Sequence, residues 1–299
     1  MGNGDLESIV RLSRDLREAA QTMTAREARY LVDGYYQIQD QRIRSAAQIR
    51  SAGDEPHAVL AWFMGQNELL ERNIKRALDA YGDRSIVGQW SKSIIGIGPV
   101  LSAGLLAHLD LEPWRCAVAH GDPKTKPCRP ETPHDAMCAR FRVNTVGQIW
   151  RFAGLDPTQR WGKGEKRPWN ARLKVLCWKI GESFVKTSGH PEGFYGRLYV
   201  ERRAREDARN VAGLYADQAA ASLTEKRWRD GTATRAKYEA GLLPDARLLL
   251  RAERWTVKLF LAHWFTVAYR ERFGTLPPKP YVLAQLGHAG EIQVPKWPF

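Results

Sequence analysis

The sequence lacks any long apolar run, and it has few cysteines. No stretch approaches the roughly 20 consecutive apolar residues of a membrane-spanning helix, so we expect no membrane span. Only four cysteines occur, three of them close together, which argues against a disulfide framework. The opening residues, MGNGDLESIV, contain neither a basic segment nor a long apolar core, so we expect no signal peptide. Together these absences predict a cytoplasmic protein.

Acidic residues are also scarce relative to basic ones. The chain has 46 lysines and arginines against 33 aspartates and glutamates, which gives a formal net charge of +13 at pH 7. Such an excess favours a polyanionic partner, because contact with phosphates releases counterions. The 11 tryptophans and 10 tyrosines either form core or stack on bases and sugars. We therefore expect a nucleic-acid partner and a nucleoid-associated location.

Patterns typical of β-strands are absent from the first third of the chain. Residues 5–81 show helical periodicity throughout, with no alternating β-branched run. Thr24 and Glu27 have the spacing of a capping box, which predicts the start of a helix. Long amphipathic helices of this kind form a bundle or an antiparallel coiled-coil arm. We predict that residues 1–84 are such a region and that the chain forms a homo-oligomer through it.

A glycine-rich turn lies in the segment IIGIGPVLSAGLLAH, residues 94–108. Gly96, Ile97 and Gly98 form a turn that glycine adopts without steric cost, and Pro99 suits the first position of a helix. The segment resembles the helix-hairpin-helix motif of non-sequence-specific DNA binders. A turn of this kind exposes backbone N–H groups to a phosphate oxygen at a helix N-terminus. The alternative is a tight turn between two core helices.

A polar, proline-rich insertion covers residues 111–141. Its cysteines and histidines follow the pattern C-x3-H, then a lone cysteine, then H-x3-C, and residues four apart share a helix face. Four of these side chains would suffice for tetrahedral zinc, which predicts a structural zinc clip. No CxxC knuckle is present, so the alternative is a set of unrelated residues in a surface insertion. The five candidate ligands are Cys116, His120, Cys128, His134 and Cys138.

A basic loop with the sequence TQRWGKGEKRPW follows at residues 158–169. Trp161 and Trp169 lie beside its positive charges, which is typical of a loop that tracks a phosphate backbone and stacks on bases. A solvated loop without a ligand is the alternative. The helix that follows adds two more cations. The predicted cationic contacts of this region are Arg160, Lys163, Lys166, Arg167, Arg172 and Lys174.

The chain after the basic loop is predicted to form helices, followed by a C-terminal tail. Residues 192–228 carry mixed charge and predict a solvated helix with internal ion pairs. Cys177 lies on an apolar helix face and is interpreted as inert core. His263 lies among apolar residues of the last long helix and is interpreted as a core histidine with satisfied hydrogen bonds. From Thr275 the chain is proline-rich, and we expect a tail that wraps over the body or reaches a partner.

Several of these segments together resemble a known family. The glycine hairpin, the turn in WRFAGLDP, the Gly/Lys loop and the helix WNARLKVLCWKIGESFVK occur in the order seen in the C-terminal domain of DEDD-type, bridge-RNA-guided insertion-sequence transposases. The similarity covers about residues 85–272. Together with the helical periodicity of the N-terminal region, it predicts an all-α architecture: a helical bundle or coiled-coil arm over residues 1–84, a helix-hairpin-helix domain over 85–274 interrupted by the Cys/His insertion, and a Pro-rich tail over 275–299. DNA, or a structured RNA, is the implied partner.

The chain departs from that family at both halves of its composite active site. The loop after the G-L-x-P turn contains no serine; Trp161 stands about where the family's catalytic serine belongs, and Thr158 is the loop's sole hydroxyl. Residues 1–80 are too short and too helical for the family's RNase H-like domain with its four carboxylates. We therefore predict nucleic-acid binding without catalysis. One alternative is an active transposase, recombinase or nuclease whose active site is rearranged or completed by a partner, with Thr158 as a weak candidate nucleophile. The other is a scaffold that docks an acidic protein.

Overall fold

The computed structural model describes residues 14–52, 58–115, 138–225, 227–278 and 292–299. Within these ranges the chain forms eleven helices and one short pair of strands, which confirms the predicted all-α fold. The elements in chain order are α1 (Arg14–Gln21), α2 (Ala25–Ala52), α3 (Ala58–Asp83), α4 (Ile86–Ser93), α5 (Pro99–His108), β1 (Trp114–Arg115), β2 (Ala139–Arg140), α6 (Val146–Phe152), α7 (Ala171–Lys186), α8 (Phe194–Val211), α9 (Ala216–Glu225), α10 (Ala233–Glu239) and α11 (Asp245–Phe273).

The N-terminal helices α2 and α3 pack together and against α5. The predicted capping box opens α2: the Glu27 carboxylate accepts from the Thr24 backbone N–H at 2.7 Å, and Thr24 Oγ1 accepts from the Glu27 N–H at 3.2 Å. One hydrophobic cluster joins the three helices through Val32, Leu78, Val100 and neighbouring residues. The first helices therefore share buried apolar surface with the hairpin.

The largest cluster of buried side chains surrounds α11. Phe260 of α11 stacks on Trp90 of α4 with ring centroids 5.9 Å apart, and its edge contacts Phe184 of α7 and Tyr195 of α8. Trp264, one turn further along α11, is 1% exposed. Burial of each large aromatic side chain stabilises the fold by about 2–3 kcal/mol. The aromatic core thus fixes α4, α7 and α8 around α11.

His263 is a core histidine with hydrogen bonds on both ring nitrogens, as the sequence predicts. Its Nδ1 lies 2.7 Å from the Tyr195 hydroxyl, and its Nε2 lies 2.8 Å from the Ile292 carbonyl oxygen. The carbonyl accepts only, so Nε2 carries the proton and Nδ1 accepts from the tyrosine. Residues 292–299 also contact α4, because the Trp90 indole N–H donates to the Pro295 carbonyl at 2.8 Å. This part of the tail packs on the body.

Two buried histidines predict that acid destabilises the fold. Desolvation lowers the pKa of His263 and of His108 from 6.5 to about 4. Below pH 6.5 the unfolded chain binds these protons and the folded chain does not, so we expect the free energy of unfolding to fall as the pH drops from about 6.5 to 4. The loss should be about 1–3 kcal/mol per histidine. Urea titrations across this pH range measure it.

Replacement of one histidine isolates its contribution to that pH dependence. His263→Asn should be less stable than wild type near neutral pH, and its stability should depend less steeply on pH between 6.5 and 5. His190→Asn, on an exposed turn, serves as the control and should keep the wild-type slope. Identical slopes for His263→Asn and wild type would show that His263 does not carry the effect.

Candidate nucleic-acid interface

The glycine turn predicted between two helices is present between α4 and α5. Gly96 has φ +96°, in the left-handed region that favours glycine, and the Ile97 N–H donates to the Ile94 carbonyl at 2.9 Å. Ile97 is buried, whereas Gly98 is exposed. Gly98 precedes Pro99, the first residue of α5, and this end of α5 has no side-chain cap. An anion at the turn would therefore satisfy helix N–H groups that the described residues leave uncapped.

The C-terminal end of α7 holds this turn in place. Ser183 Oγ donates to the Gly96 carbonyl at 2.5 Å. A β-carbon at Gly96 would lie 3.1 Å from Thr187 Oγ1 and 3.2 Å from Phe184 Cδ1, so the backbone of the turn packs directly on α7. By contrast, no atom lies within 4 Å of a β-carbon built on Gly98. One side of the turn is thus packed on protein and the other faces solvent.

The basic loop before α7 has internal order. The Trp161 indole N–H donates to the Glu165 carbonyl at 2.5 Å, and the Glu165 carboxylate accepts from the Gly162 N–H at 2.8 Å. Trp161 is 42% exposed, and the Arg167 guanidinium lies 4.9 Å from the centre of its ring. Glu165, the loop's single acid, is therefore used to close the turn. The loop's cations are all exposed: Arg160, Lys163, Lys166 and Arg167.

Trp169 has a different environment from Trp161. It is partly buried against the backbone of Gly154, where a β-carbon would lie 2.8 Å from its Cγ. The Lys174 ammonium lies 4.2 Å from the centre of its ring. Trp169 therefore packs the loop onto α6 and supports Lys174, whereas Trp161 is the more accessible stacking surface.

Arg172, also among the predicted cations, has a carboxylate partner on α2. Its guanidinium lies 2.6 Å from the Asp33 carboxylate, with 68% of the Arg172 side chain exposed. Asn170 caps α7 by accepting from the N–H groups of Arg172 and Leu173, each at 3.1 Å. Arg172 thus links α7 to α2, and its charge is partly compensated.

Thr158 is held in a local turn rather than beside a general base. Its hydroxyl donates to the Asp156 carboxylate at 2.7 Å, and its backbone N–H donates to the same oxygen at 2.9 Å. These backbone and side-chain hydrogen bonds lower the pKa of Asp156. A carboxylate with a lowered pKa is a poor base for a hydroxyl. The geometry is that of an Asx-type turn.

A row of four cations on α11 is a further basic feature, beyond the contacts that the sequence predicts. The residues follow one another at intervals of four, three and four, which places them on one face of the helix. The spacing R-x3-R-x2-R-x3-K is visible in the sequence, but it occurs in a helix whose apolar positions give the stronger pattern. The row consists of Arg247, Arg251, Arg254 and Lys258.

Two residues of this row lie close enough to the loop and α7 for their charges to interact. Desolvation and the charges of Arg254 and Arg167 lower the pKa of Lys174. Desolvation also lowers the pKa of Lys258; Arg254 adds to this effect and Asp156 opposes it. A positive charge that lowers the pKa of a neighbouring lysine lies close to it in space, so Arg167 and Arg254 lie near Lys174, and Arg254 lies near Lys258. We call Arg167, Lys174, Arg254 and Lys258 the basic strip.

The structure brings the loop and α11 together but leaves the glycine turn apart from them. The loop enters α7 at its N-terminal end, near Asn170, whereas Gly96 contacts Ser183 and Thr187 near the other end. With 16 residues, α7 spans about 24 Å. The glycine turn and the basic loop are therefore separate surfaces at opposite ends of α7. Their separation of about 24 Å is shorter than the roughly 34 Å length of one turn of duplex DNA.

Of the five predicted zinc ligands, Cys116, His120, Cys128 and His134 lie outside the described residues. The fifth, Cys138, directly precedes β2, which pairs antiparallel with β1 through Trp114 and Arg140 and closes the insertion at its base. Among the described residues, no group of three or more His, Cys, Asp or Glu side chains is placed to hold a metal ion. A structural zinc in the insertion stays a prediction.

Elemental analysis checks the zinc prediction directly. We expect about one equivalent of zinc per chain, lost in Cys128→Ser because thiolates are the strongest ligands of the set. Cys177→Ala is the matched control: Cys177 is buried in α7, where desolvation raises its thiol pKa to about 12, and the variant should keep its zinc. Metal-free wild-type protein with a melting temperature unaffected by chelator would contradict the prediction.

Within the described ranges, no helix has the length and apolar character needed to cross a bilayer. The candidate interface consists of the basic loop and the basic strip, and the glycine turn with the uncapped N-terminus of α5 forms a separate surface. The chain matches no family model, and no curated protein or solved structure is similar to it at a significant level.

Proposed function

We propose that this chain is a nucleic-acid-binding protein, with DNA as the expected partner, that holds the phosphate backbone and performs no catalysis. The observation that carries the proposal is the basic strip. Its lysines, Lys174 and Lys258, have lowered pKa values, through desolvation and through the neighbouring charge of Arg254. Phosphates placed along the strip would relieve this repulsion and release counterions.

Three further features support a backbone-tracking mode of binding. The exposed cations of the loop extend the strip, and Trp161 offers a partly exposed ring for stacking. The uncapped N-terminus of α5 supplies N–H donors at a second surface. Contacts of these kinds go to phosphate and carry little sequence information, so we expect weak sequence preference.

The proposed origin is a mobile-element transposase that has lost its chemistry. The order of the hairpin, the G-L-x-P turn, the loop and the following helix supports this origin. The Thr158 hydroxyl donates to an Asp156 carboxylate whose pKa is lowered, which favours a binding role over nucleophilic catalysis.

Identification of the nucleic acid that co-purifies at low salt tests the proposal. We expect DNA of mixed sequence that DNase removes and RNase does not. A discrete RNA would redirect the proposal to a structured RNA partner. Protein that carries no nucleic acid and binds neither DNA nor RNA when these are added would contradict the proposal and favour a scaffold for an acidic protein.

We also propose self-association through the N-terminal helices. Exposed apolar side chains lie on α3 and near the end of α2, with Trp62 64%, Leu70 50% and Ile43 54% exposed. Several large apolar side chains exposed on two helices that pack together favour an interaction site there. A second copy of the chain is the proposed partner, which would hold two basic surfaces in one particle.

Light scattering coupled to size exclusion measures this association. Wild-type protein should elute as a dimer or larger species, and the double variant Trp62→Asp/Leu70→Asp should elute as a monomer because both new carboxylates would be buried at the contact. Tyr30→Asp changes a side chain that is 76% exposed on α2 and should leave the assembly unchanged. Wild-type protein that is monomeric at high micromolar concentration would rule out this interface.

A further inference from the structure

A small polar cavity lies between α9 and the first half of α11. Its volume is about 150 Å³, below the roughly 300–1,000 Å³ of pockets that enclose whole small molecules. A cavity of this size suits a single chemical group rather than a complete nucleotide. Its lining combines three arginines with two polar and two apolar residues: Arg247, Arg251, Arg254, Gln218, Ser222, Leu243 and Leu250.

Arg251 is fixed at the base of this cavity. Its Nε donates to the carboxylate of the buried residue Glu206 at 2.9 Å, and its Nη1 donates to Gln218 Oε1 at 3.3 Å. The guanidinium also lies 4.4 Å from the centre of the Tyr215 ring, and the Tyr215 hydroxyl donates to Glu206. Because Gln218 Oε1 is used by Arg251, the Gln218 amide nitrogen is left to donate to a ligand.

The other two arginines have unneutralised charge. Arg247 donates through Nε to the Tyr238 hydroxyl at 3.3 Å, a neutral acceptor. In the part of the chain that the structure describes, neither Arg247 nor Arg254 forms an ion pair. Desolvation and the charges of Arg251 and Arg247 lower the pKa of Arg254. With Glu206 shared by Arg251 and Arg202, the cavity holds about two positive charges in excess.

We propose that this cavity binds one phosphate group that carries two negative charges, as a terminal phosphate monoester or free phosphate does. Guanidinium groups bind phosphate oxygens through paired, planar hydrogen bonds. The charge excess matches a dianion better than a phosphodiester, which carries a single charge. In its terminal-phosphate form the inference rests on the proposed function, because Arg254 belongs both to the basic strip and to the cavity, so a strand held on the strip would bring its end there.

Two measurements test the cavity, and the first needs no nucleic acid. Inorganic phosphate should raise the melting temperature of wild-type protein above that in chloride of the same ionic strength. Arg247→Gln, which removes a cavity charge outside the strip, should abolish this rise. Arg44→Gln is the matched control, because Arg44 is 75% exposed on α2 and far along the chain from the cavity residues. It should show the wild-type rise.

The second measurement compares three oligonucleotides of one sequence: with a 5′-phosphate, with a 3′-phosphate and with neither. Wild-type protein should bind one phosphorylated form about tenfold more tightly than the unphosphorylated strand, and Arg247→Gln should bind all three equally. A melting shift without any oligonucleotide binding would support a free-phosphate site and refute the proposed function. Oligonucleotide binding that ignores terminal phosphate, together with no melting shift, would overturn the cavity proposal and leave the proposed function intact.

Discussion

Reversal of two charges of the basic strip, Lys174→Glu with Arg254→Glu, is expected to weaken binding to duplex DNA about 100-fold at fixed moderate salt. Both side chains are exposed, and each lies in a cluster of like charge. A charge-assisted contact contributes about 1.5 kcal/mol or more, so loss of two corresponds to about 3 kcal/mol. Fluorescence anisotropy with a labelled duplex measures the affinity.

The control for this experiment carries the same change in net charge elsewhere. Arg44→Glu with Arg50→Glu alters two exposed arginines of α2 and should weaken binding by less than about threefold, through the general field alone. The milder variant Lys174→Gln/Arg254→Gln should lose an amount of DNA affinity between those of the other two variants. Because it introduces no carboxylate, it separates the loss of positive charge from repulsion by new negative charge. Equal losses for the strip variant and the α2 variant would show that binding follows net charge rather than this surface.

Gly88→Ala is expected to have the largest effect on stability. Gly88 lies in α4, and a β-carbon there would overlap the Gly82 carbonyl oxygen and would lie 2.9 Å from Leu106 Cδ1. The first contact is with backbone at the end of α3, so a side-chain rotation cannot relieve it. Separation of α3 from α4 would disturb the support of the glycine turn, and we expect the free energy of unfolding to fall by about 3 kcal/mol.

Gly34→Ala provides a control with the opposite sign. Gly34 lies within α2, and no atom lies within 4 Å of a β-carbon built there. Alanine has the higher helix propensity, so this variant should be stabilised by about 0.5–1 kcal/mol. Urea titrations of both variants measure the changes. A Gly88→Ala protein as stable as wild type would mean that α3 and α4 do not approach each other so closely.

The sequence was sufficient for features that depend on neighbours along the chain. The capping box at Thr24, the glycine turn before Pro99 and the apolar face of α7 that buries Cys177 all follow from local rules, and the structure confirms each of them. The core position of His263 was also predictable, because apolar residues surround it in the helical pattern.

Features set by tertiary packing were not predictable in this way. The mixed charge of residues 192–228 predicts one solvated helix, but the helix ends after α8, where Gly213 has φ +75°. Glu206 is buried and contacts Tyr215 and Arg251. Nothing near Glu206 in the sequence identifies those partners, one of which is 45 residues away. The mixed charge pattern therefore does not reveal the ion pair between the buried Glu206 and Arg251.

In the candidate site, too, the features that depend on sequence neighbours were predictable and those that depend on tertiary packing were not. The exposed cations of the loop were identifiable because they are consecutive in the chain. The partnership of Lys174 with Arg254 was not, because it requires α7 and α11 to pack side by side. Nor could the sequence show that α7 separates the glycine turn from the loop. We therefore centre the proposed interface on the basic strip rather than on the hairpin.

The salt dependence of DNA affinity tests the central claim most directly. If the strip and the loop hold about four to six phosphates, the logarithm of the association constant should fall with the logarithm of salt concentration with a slope of about −4 to −5. The strip variant Lys174→Glu/Arg254→Glu should reduce the magnitude of this slope by about two. A wild-type slope near zero, or no measurable affinity at low salt, would contradict the claim that this chain holds a phosphate backbone.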